Sequence, residues 1–189
     1  MEEKKMDRRV RYTHMMLRDA LVEMLRKEHI SKISVKALCD LADINRSTFY
    51  AHFKDQYDLL HYIEQEATDN IKNYLEKQDF SDRLPVSLQT LNRILEYVKE
   101  NADLFRALIS DNCEPSIQIE IMNLTQVFPI PLYKEWNERT KDYITVFGIT
   151  GCVSILQKWL EDGMPESTME ISEFILQLLY QGIASFQLE

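Results

Sequence analysis

Leu17, Leu21, Met24 and Leu25 recur at helical spacing, with Arg18, Glu23, Arg26 and Lys27 falling between them. This predicts an amphipathic helix over MMLRDALVEMLRKE, about four turns long, with Thr13 as its N-cap. A break at residues 29–32 follows. Ser34 then reads as the N-cap of a second helix, VKALCDLA, and Ile33 ahead of the cap can pack on Leu38 as a hydrophobic staple. The chain must turn at Asp43, a residue that tolerates the left-handed conformation better than most. Ile44 plugs that corner, and Asn45 caps a third helix, RSTFYAHF. In it Phe49 and Phe53 form an inward stripe. Arg46 and Tyr50 share another face, with Ser47, Thr48, Ala51 and His52 beside them.

Asp55 is placed to cap a long fourth helix over residues 56–76, with Leu59, Leu60, Ile63 and Ala67 on one side. KQDFSDRLP reads as a loop. Further helices are expected over 86–101, 103–111, 115–127, 138–161 and 168–186, the last opened by a capping box of Ser167 and Glu170, with FPIP as a break at 128–131. No strand, repeat or low-complexity tract is visible. Two short helices joined by a tight turn and supported by a longer first helix make a helix-turn-helix. The expected fold is therefore all-α: a three-helix helix-turn-helix domain over 1–58 and a larger helical domain over 59–189.

Composition narrows the chemistry. The 189 residues are 45% hydrophobic and 28% charged, which is ordinary for a soluble globular chain. Only four glycines occur, Gly148, Gly151, Gly163 and Gly182, and no glycine-rich phosphate loop exists. Cys39, Cys113 and Cys152 are odd in number and widely spaced, so reduced thiols are the default. His14, His29, His52 and His61 show no metal-binding spacing, and no nucleophile-elbow motif places a Ser, His and acid together. No enzyme activity, metal or cofactor is expected. MEEKKMDRRVRYTHMML lacks the apolar core of a secretory signal, and the most apolar run, YITVFGITGCVSIL, falls short of the ~20 residues that span a bilayer, so a cytoplasmic protein is expected.

The net charge of -9 is unevenly spread. Residues 1–62 carry 12 Lys and Arg against 10 Asp and Glu, whereas residues 63–189 carry 10 against 21. Screening over ~8 Å lets a locally basic surface act apart from a distant acidic one.

The run SVKALCDLADINRSTFYAHFKDQYDLL, residues 34–60, resembles the DNA-binding segment of TetR-type transcriptional regulators. Helix lengths, the corner, the T-F-Y-x-x-F core of the third helix and the acidic cap before a Leu-rich fourth helix all agree, over roughly residues 9–62. Two positions depart from the family: Asp43, where glycine is usual at the corner, and Gln56, where many members carry a phosphate-contacting lysine and Lys54 stands nearby instead. The resemblance implies a homodimer that places two recognition helices in successive major grooves of a palindromic operator. It also implies dimerisation through the last two helices (138–161 and 167–186) and a small-molecule effector bound by the C-terminal part.

Within this frame Arg46, near the start of the recognition helix, is the best reader of guanine acceptors, and Ser47 and Ala51 can approach base edges. Asn45 belongs to the same N-terminal edge. Thr48, Tyr50, His52 and Lys54, together with Ser34 and Lys36, suit phosphate contacts that set register, not sequence. Arg9 and Arg11, ahead of the first helix, can reach the neighbouring backbone or minor groove. The competing reading of Arg46 and Tyr50 is a plain solvated helix face. Phe105, Met122, Phe128, Tyr133 and Trp136 are candidates to line an effector pocket, although such residues at helical spacing are more often plain core. This part lacks the cationic cluster expected for a strongly anionic effector. The leading reading is a repressor released by a small molecule, and the alternative is an activator or a regulator controlled by a protein partner; a helical adaptor or enzyme that merely contains a helix-turn-helix has no catalytic constellation to support it.

Overall fold

Thr13 does not begin the first helix. In the computed structural model, which describes residues 8–76, 88–110, 112–113 and 136–184, α1 spans Arg8–Leu25 and Thr13 is buried inside it. The arginines of RRVRY are good helix formers, and continuing the helix backwards lets Val10 and His14 join the stripe of Leu17 and Leu21. The stop comes earlier than expected. The amides of Lys27 and Glu28 both donate to the Met24 carbonyl, at 2.9 and 3.1 Å, and close the last turn. The expected break closes as a single 3-10 turn, Ile30–Lys32, because His29 Nδ1 accepts from the Ser31 amide and Ile30 is fully buried.

The two helices of the motif follow the caps. α2 spans Val35–Ala42, with Ser34 Oγ accepting from the Ala37 amide at 3.1 Å. Ile33 and Leu38 are both buried, as the staple requires. Asp43 takes the left-handed conformation, φ 53° and ψ 42°, and donates its amide to the Cys39 carbonyl. α3 spans Arg46–Tyr50, with Asn45 Oδ1 accepting from the Ser47 amide at 2.9 Å. Its regular part is shorter than RSTFYAHF. The amides of His52 and Phe53 both donate to the Phe49 carbonyl at 2.9 Å, tightening the last turn while keeping Phe53 on the stripe below Phe49.

α4, Gln56–Glu76, starts where Asp55 Oδ1 accepts from the amides of Tyr57 and Asp58, and it buries Leu59, Leu60, Ile63, Ala67 and Ile71. Beyond it lie α5 (Leu88–Glu100), α6 (Ala102–Leu108), α7 (Glu138–Glu161) and α8 (Thr168–Ala184). α6 ends at Leu108 and not at residue 111, because the Ser110 hydroxyl turns back onto the Ala107 carbonyl at 2.8 Å. The expected loop at 77–85, the expected helix at 115–127 and the FPIP break fall outside the described residues, among which no strand occurs. The capping box of α8 forms in both directions: the Glu170 amide donates to Ser167 Oγ at 3.2 Å, and the Ser167 amide donates to Glu170 Oε2 at 2.8 Å.

One apolar core runs from Leu17 in α1 to Ile175 in α8. α1 packs on α2, α4 and α6; α6 packs on α7; α5 lies along α8, which also meets α7. The α7–α8 turn is a Schellman motif. Gly163 sits at φ 84°, its amide donates to Leu160 O, and the Met164 amide donates to Trp159 O at 2.8 Å. The apolar run at 143–156 is part of α7, which is 24 residues long and apolar enough to cross a membrane by length and composition. Within it Ile144, Gly148, Ile149, Val153, Trp159 and Leu160 are buried.

Asp43 carries two avoidable costs, a Cβ in the left-handed region and a negative charge at the C-terminus of α2. Asp43→Gly should therefore stabilise the protein by about 0.5–1 kcal/mol in urea unfolding. A loss of stability would show that the Asp43 side chain makes a favourable interaction of its own.

Candidate nucleic-acid interface

The stripe of Phe49 and Phe53 points α3 inward, so the opposite face is presented outward without any further device. Phe49 has no exposed surface and Phe53 almost none. Arg46, Ser47, Tyr50, Ala51 and Lys54 are exposed, and Thr48 and His52 are half-buried. Tyr50 stands edge-on against Phe49 with ring centroids 5.5 Å apart, which steadies an otherwise exposed aromatic side chain. Asn45 and Ser47 are partly committed to each other, because the Ser47 hydroxyl donates to Asn45 Oδ1 at 2.9 Å. Arg46 makes no such commitment to the cap and is the long cation at the start of the helix. Ser34 and Lys36 are exposed at the start of α2, and the Lys54 amide is held by Asp58 Oδ2 at 2.9 Å.

Arg9 and Arg11 are placed differently from expectation. Both are exposed, but they lie within the first turn of α1 and not in an arm ahead of it. They are thus presented by a helix, with Tyr12 exposed beside them.

Sequence reasoning missed what lies behind the outward face of α3. His14 sits against His52, Phe53 and Tyr62, with ring centroids at 5.0, 4.9 and 4.9 Å. Neither ring nitrogen of His14 has a hydrogen-bond partner, although both are buried. Burial first, and the nearby His52 second, lower the His14 pKa below its ordinary 6.5. Tyr62 is pushed the other way, chiefly by burial. The signal was present: His14 falls on the stripe of Val10, Leu17 and Leu21. His52, expected at a phosphate, therefore has one ring edge turned back onto α1.

Of the pocket candidates, Phe105 is buried with its ring edge-on to Tyr97 at 5.8 Å, and Trp136 is half-buried. Met122, Phe128 and Tyr133 lie outside the described residues. On α4 the Glu64 carboxylate is almost fully buried, 3.9 Å from His61 Nδ1. Among the described residues no group of His, Cys, Asp and Glu could hold a metal ion. Cys152, half-buried in α7, has its thiol pushed up to about 11 by burial, which removes the thiolate a redox sensor needs.

α1 to α3, with α3 turning its polar face outward, have the arrangement of a helix-turn-helix, continued by α4 into the remaining helices. Comparison with known proteins agrees. A family model described as the TetR-type "Transcriptional regulator C-terminal region" matches residues 86–181, just over half of the chain. The chain belongs to the TetR family of transcriptional regulators. That match lies in the body, whereas the resemblance read from the sequence lies in the head, so the two are independent.

Solved structures share the fold. A TetR transcriptional regulator from Streptococcus agalactiae 2603V is 22% identical, with 92% of this chain and 96% of that one covered and a TM-score of 0.64. FadR from Bacillus subtilis in complex with stearoyl-CoA is 16% identical, covering 87% and 96%, at a TM-score of 0.59. The dihydroxyacetone kinase operon activator DhaS is 20% identical, covering 90% and 96%, at a TM-score of 0.51. No curated protein matches the chain in sequence.

Because burial lowers the His14 pKa in the folded protein, the unfolded chain binds the proton more readily. Its contribution to stability is thus present above about pH 6.5 and is lost as pH falls through the lowered folded value. In urea unfolding across that range, His14→Leu should show a shallower acid loss than the parent protein. Equal slopes would mean that His14 is not the group responsible.

Proposed function

We propose that this regulator binds a palindromic operator as a homodimer, one α3 per major groove, and that a small-molecule effector releases it. The observation that carries the reading is the exposed Arg46 and Tyr50 face, opposed to the buried Phe49 and Phe53 on a capped helix-turn-helix. Arg46 reads guanine, with Ser47 and Ala51 beside it and Asn45 holding the helix start. Ser34, Lys36, Thr48, Tyr50, His52 and Lys54 hold phosphates, and Arg9 and Arg11 extend the contact from the first turn of α1. The division into a reading head over 1–58 and an effector and dimerisation body over 59–189 follows the same logic, with α4 crossing from one to the other. The family is one of regulators, and this chain is taken to act in the cytoplasm without catalysis.

Dimerisation through the last two helices is supported by their outward faces. Phe147 is 78% exposed, with Tyr143, Val146, Phe174 and Leu178 also exposed on α7 and α8. Tyr143, Phe147 and Leu178 line one groove together with Ile144, Gly148 and Leu179. A contiguous apolar surface of this kind on a soluble regulator marks a protein–protein contact. The effector reading is supported by the stearoyl-CoA bound in FadR, a protein of the same fold. An activator is the alternative, favoured by the described role of DhaS as an operon activator.

Two substitutions test this. Arg46→Ala should weaken specific operator binding by about 1–3 kcal/mol in a gel-shift titration while leaving binding to a scrambled duplex much less changed; unchanged operator affinity would remove Arg46 from base reading. Phe147→Glu should give a monomer in sedimentation velocity at micromolar concentration, where the parent protein sediments as a dimer. A parent protein that is itself a monomer would refute dimerisation through α7 and α8.

A further inference from the structure

Asn112, just beyond α6, hydrogen-bonds both the end of α1 and the start of the 3-10 turn. Its side-chain Nδ2 donates to the Leu25 carbonyl at 2.9 Å, 87 residues away in sequence, where α1 runs out of amides to fill its last carbonyls. Its own carbonyl accepts from the Ile30 amide at 2.9 Å, the first residue of the 3-10 turn. One residue of the body therefore caps the end of α1 and the start of the next element together. The Asn112 amide is in turn oriented by Ser110 Oγ at 3.3 Å.

α6 is fastened on its other side as well. Arg106 Nε donates to the Leu160 carbonyl at 2.9 Å, in the last turn of α7, and Arg106 also meets Asp103, which lies 3.5 Å from Arg26 of α1. The Arg26–Asp103 pair is exposed and contributes little by itself. α1 and α6 are in contact within the apolar core, and a groove lined by Leu25, Arg26, Ile109, Asn112 and Leu160 opens beside that contact. Apolar packing is non-directional, and the side-chain hydrogen bond of Asn112 to Leu25 adds a directional tie between the end of α1 and the segment after α6.

We infer that Asn112 is a positioning residue for operator recognition: it fixes the orientation of each reading head on the body, and with it the half-site spacing that the dimer accepts. This rests on the homodimer and palindrome reading given above. In a dimer built on α7 and α8, a head free to pivot about α6 would still bind a half-site, but it would no longer reject altered spacing.

The test uses the full-length protein and a duplex selected by the parent protein from a randomised library. Affinities are measured by anisotropy for that site, for versions with one or two base pairs inserted between half-sites, and for a single half-site. Asn112→Asp keeps the shape but cannot donate to Leu25, and Asn112→Ala removes the side-chain amide, while the backbone bond to Ile30 stays in both. The parent protein should lose about tenfold or more on altered spacing. Both variants should lose no more than about threefold on altered spacing and keep half-site affinity within about twofold. A wild-type spacing profile in either variant overturns the inference. Uniform loss on every duplex, the half-site included, also overturns it, since Asn112 would then only support folding. If the parent protein selects no palindrome or shows no spacing preference, the homodimer reading fails and the inference fails with it.

Discussion

The burial of Phe49 holds the outward face of α3, the surface proposed to read DNA, in place. α3 has only five regularly helical residues, far too few to be stable alone, since isolated helices shorter than ~12–15 residues are marginal in water. It exists because Phe49 and Phe53 sink into the core beneath α1, α2 and α4, and removing such a ring typically costs about 3–5 kcal/mol. The caps at Ser34, Asn45 and Asp55 then set where each short helix begins. Arg46 and Tyr50 need no stabilisation of their own to be presented; they are the outside of a helix whose inside is fixed.

Charge placement makes that surface usable. A chain with net charge -9 should repel DNA, yet the excess of acid lies after residue 62. The side chains exposed at the start of α2 and along α3 include Lys36, Arg46 and Lys54, and screening separates them from the acidic body. The outward residues of α7 and α8 that would join two such bodies are uncharged, Tyr143, Val146, Phe147, Phe174 and Leu178, which suits an association that must overcome like charge.

Much of this was legible in the sequence because short-range physics writes it there. Caps need specific oxygens, the staple needs paired apolar residues, and a left-handed corner needs a tolerant residue, so Ser34, Ile33, Leu38, Asp43, Asn45 and the Ser167–Glu170 box all appear as read. Thr13 misled because a threonine ahead of an apolar run looks like a cap, although the stripe of Leu17 and Leu21 continues back through His14 to Val10 in the sequence itself. Long-range contacts were invisible for a different reason. Asn112 meets Leu25 across 87 residues, and Arg106 meets Leu160 across 54, and no periodicity or propensity encodes such pairs. His14 lies between these cases: its place on the stripe was visible, but its contact with His52 depends on how α1 and α3 cross.

The central claim is that the outward face of the head reads duplex DNA, and fluorescence anisotropy on a labelled fragment from the gene's own upstream region tests it most directly. The fragment is titrated at several salt concentrations beside a scrambled duplex of the same length. The account predicts tighter binding to the native fragment, with affinity falling steeply as salt rises, because Lys and Arg side chains displace counterions from the phosphates. No binding to either duplex, even at low salt, would contradict it.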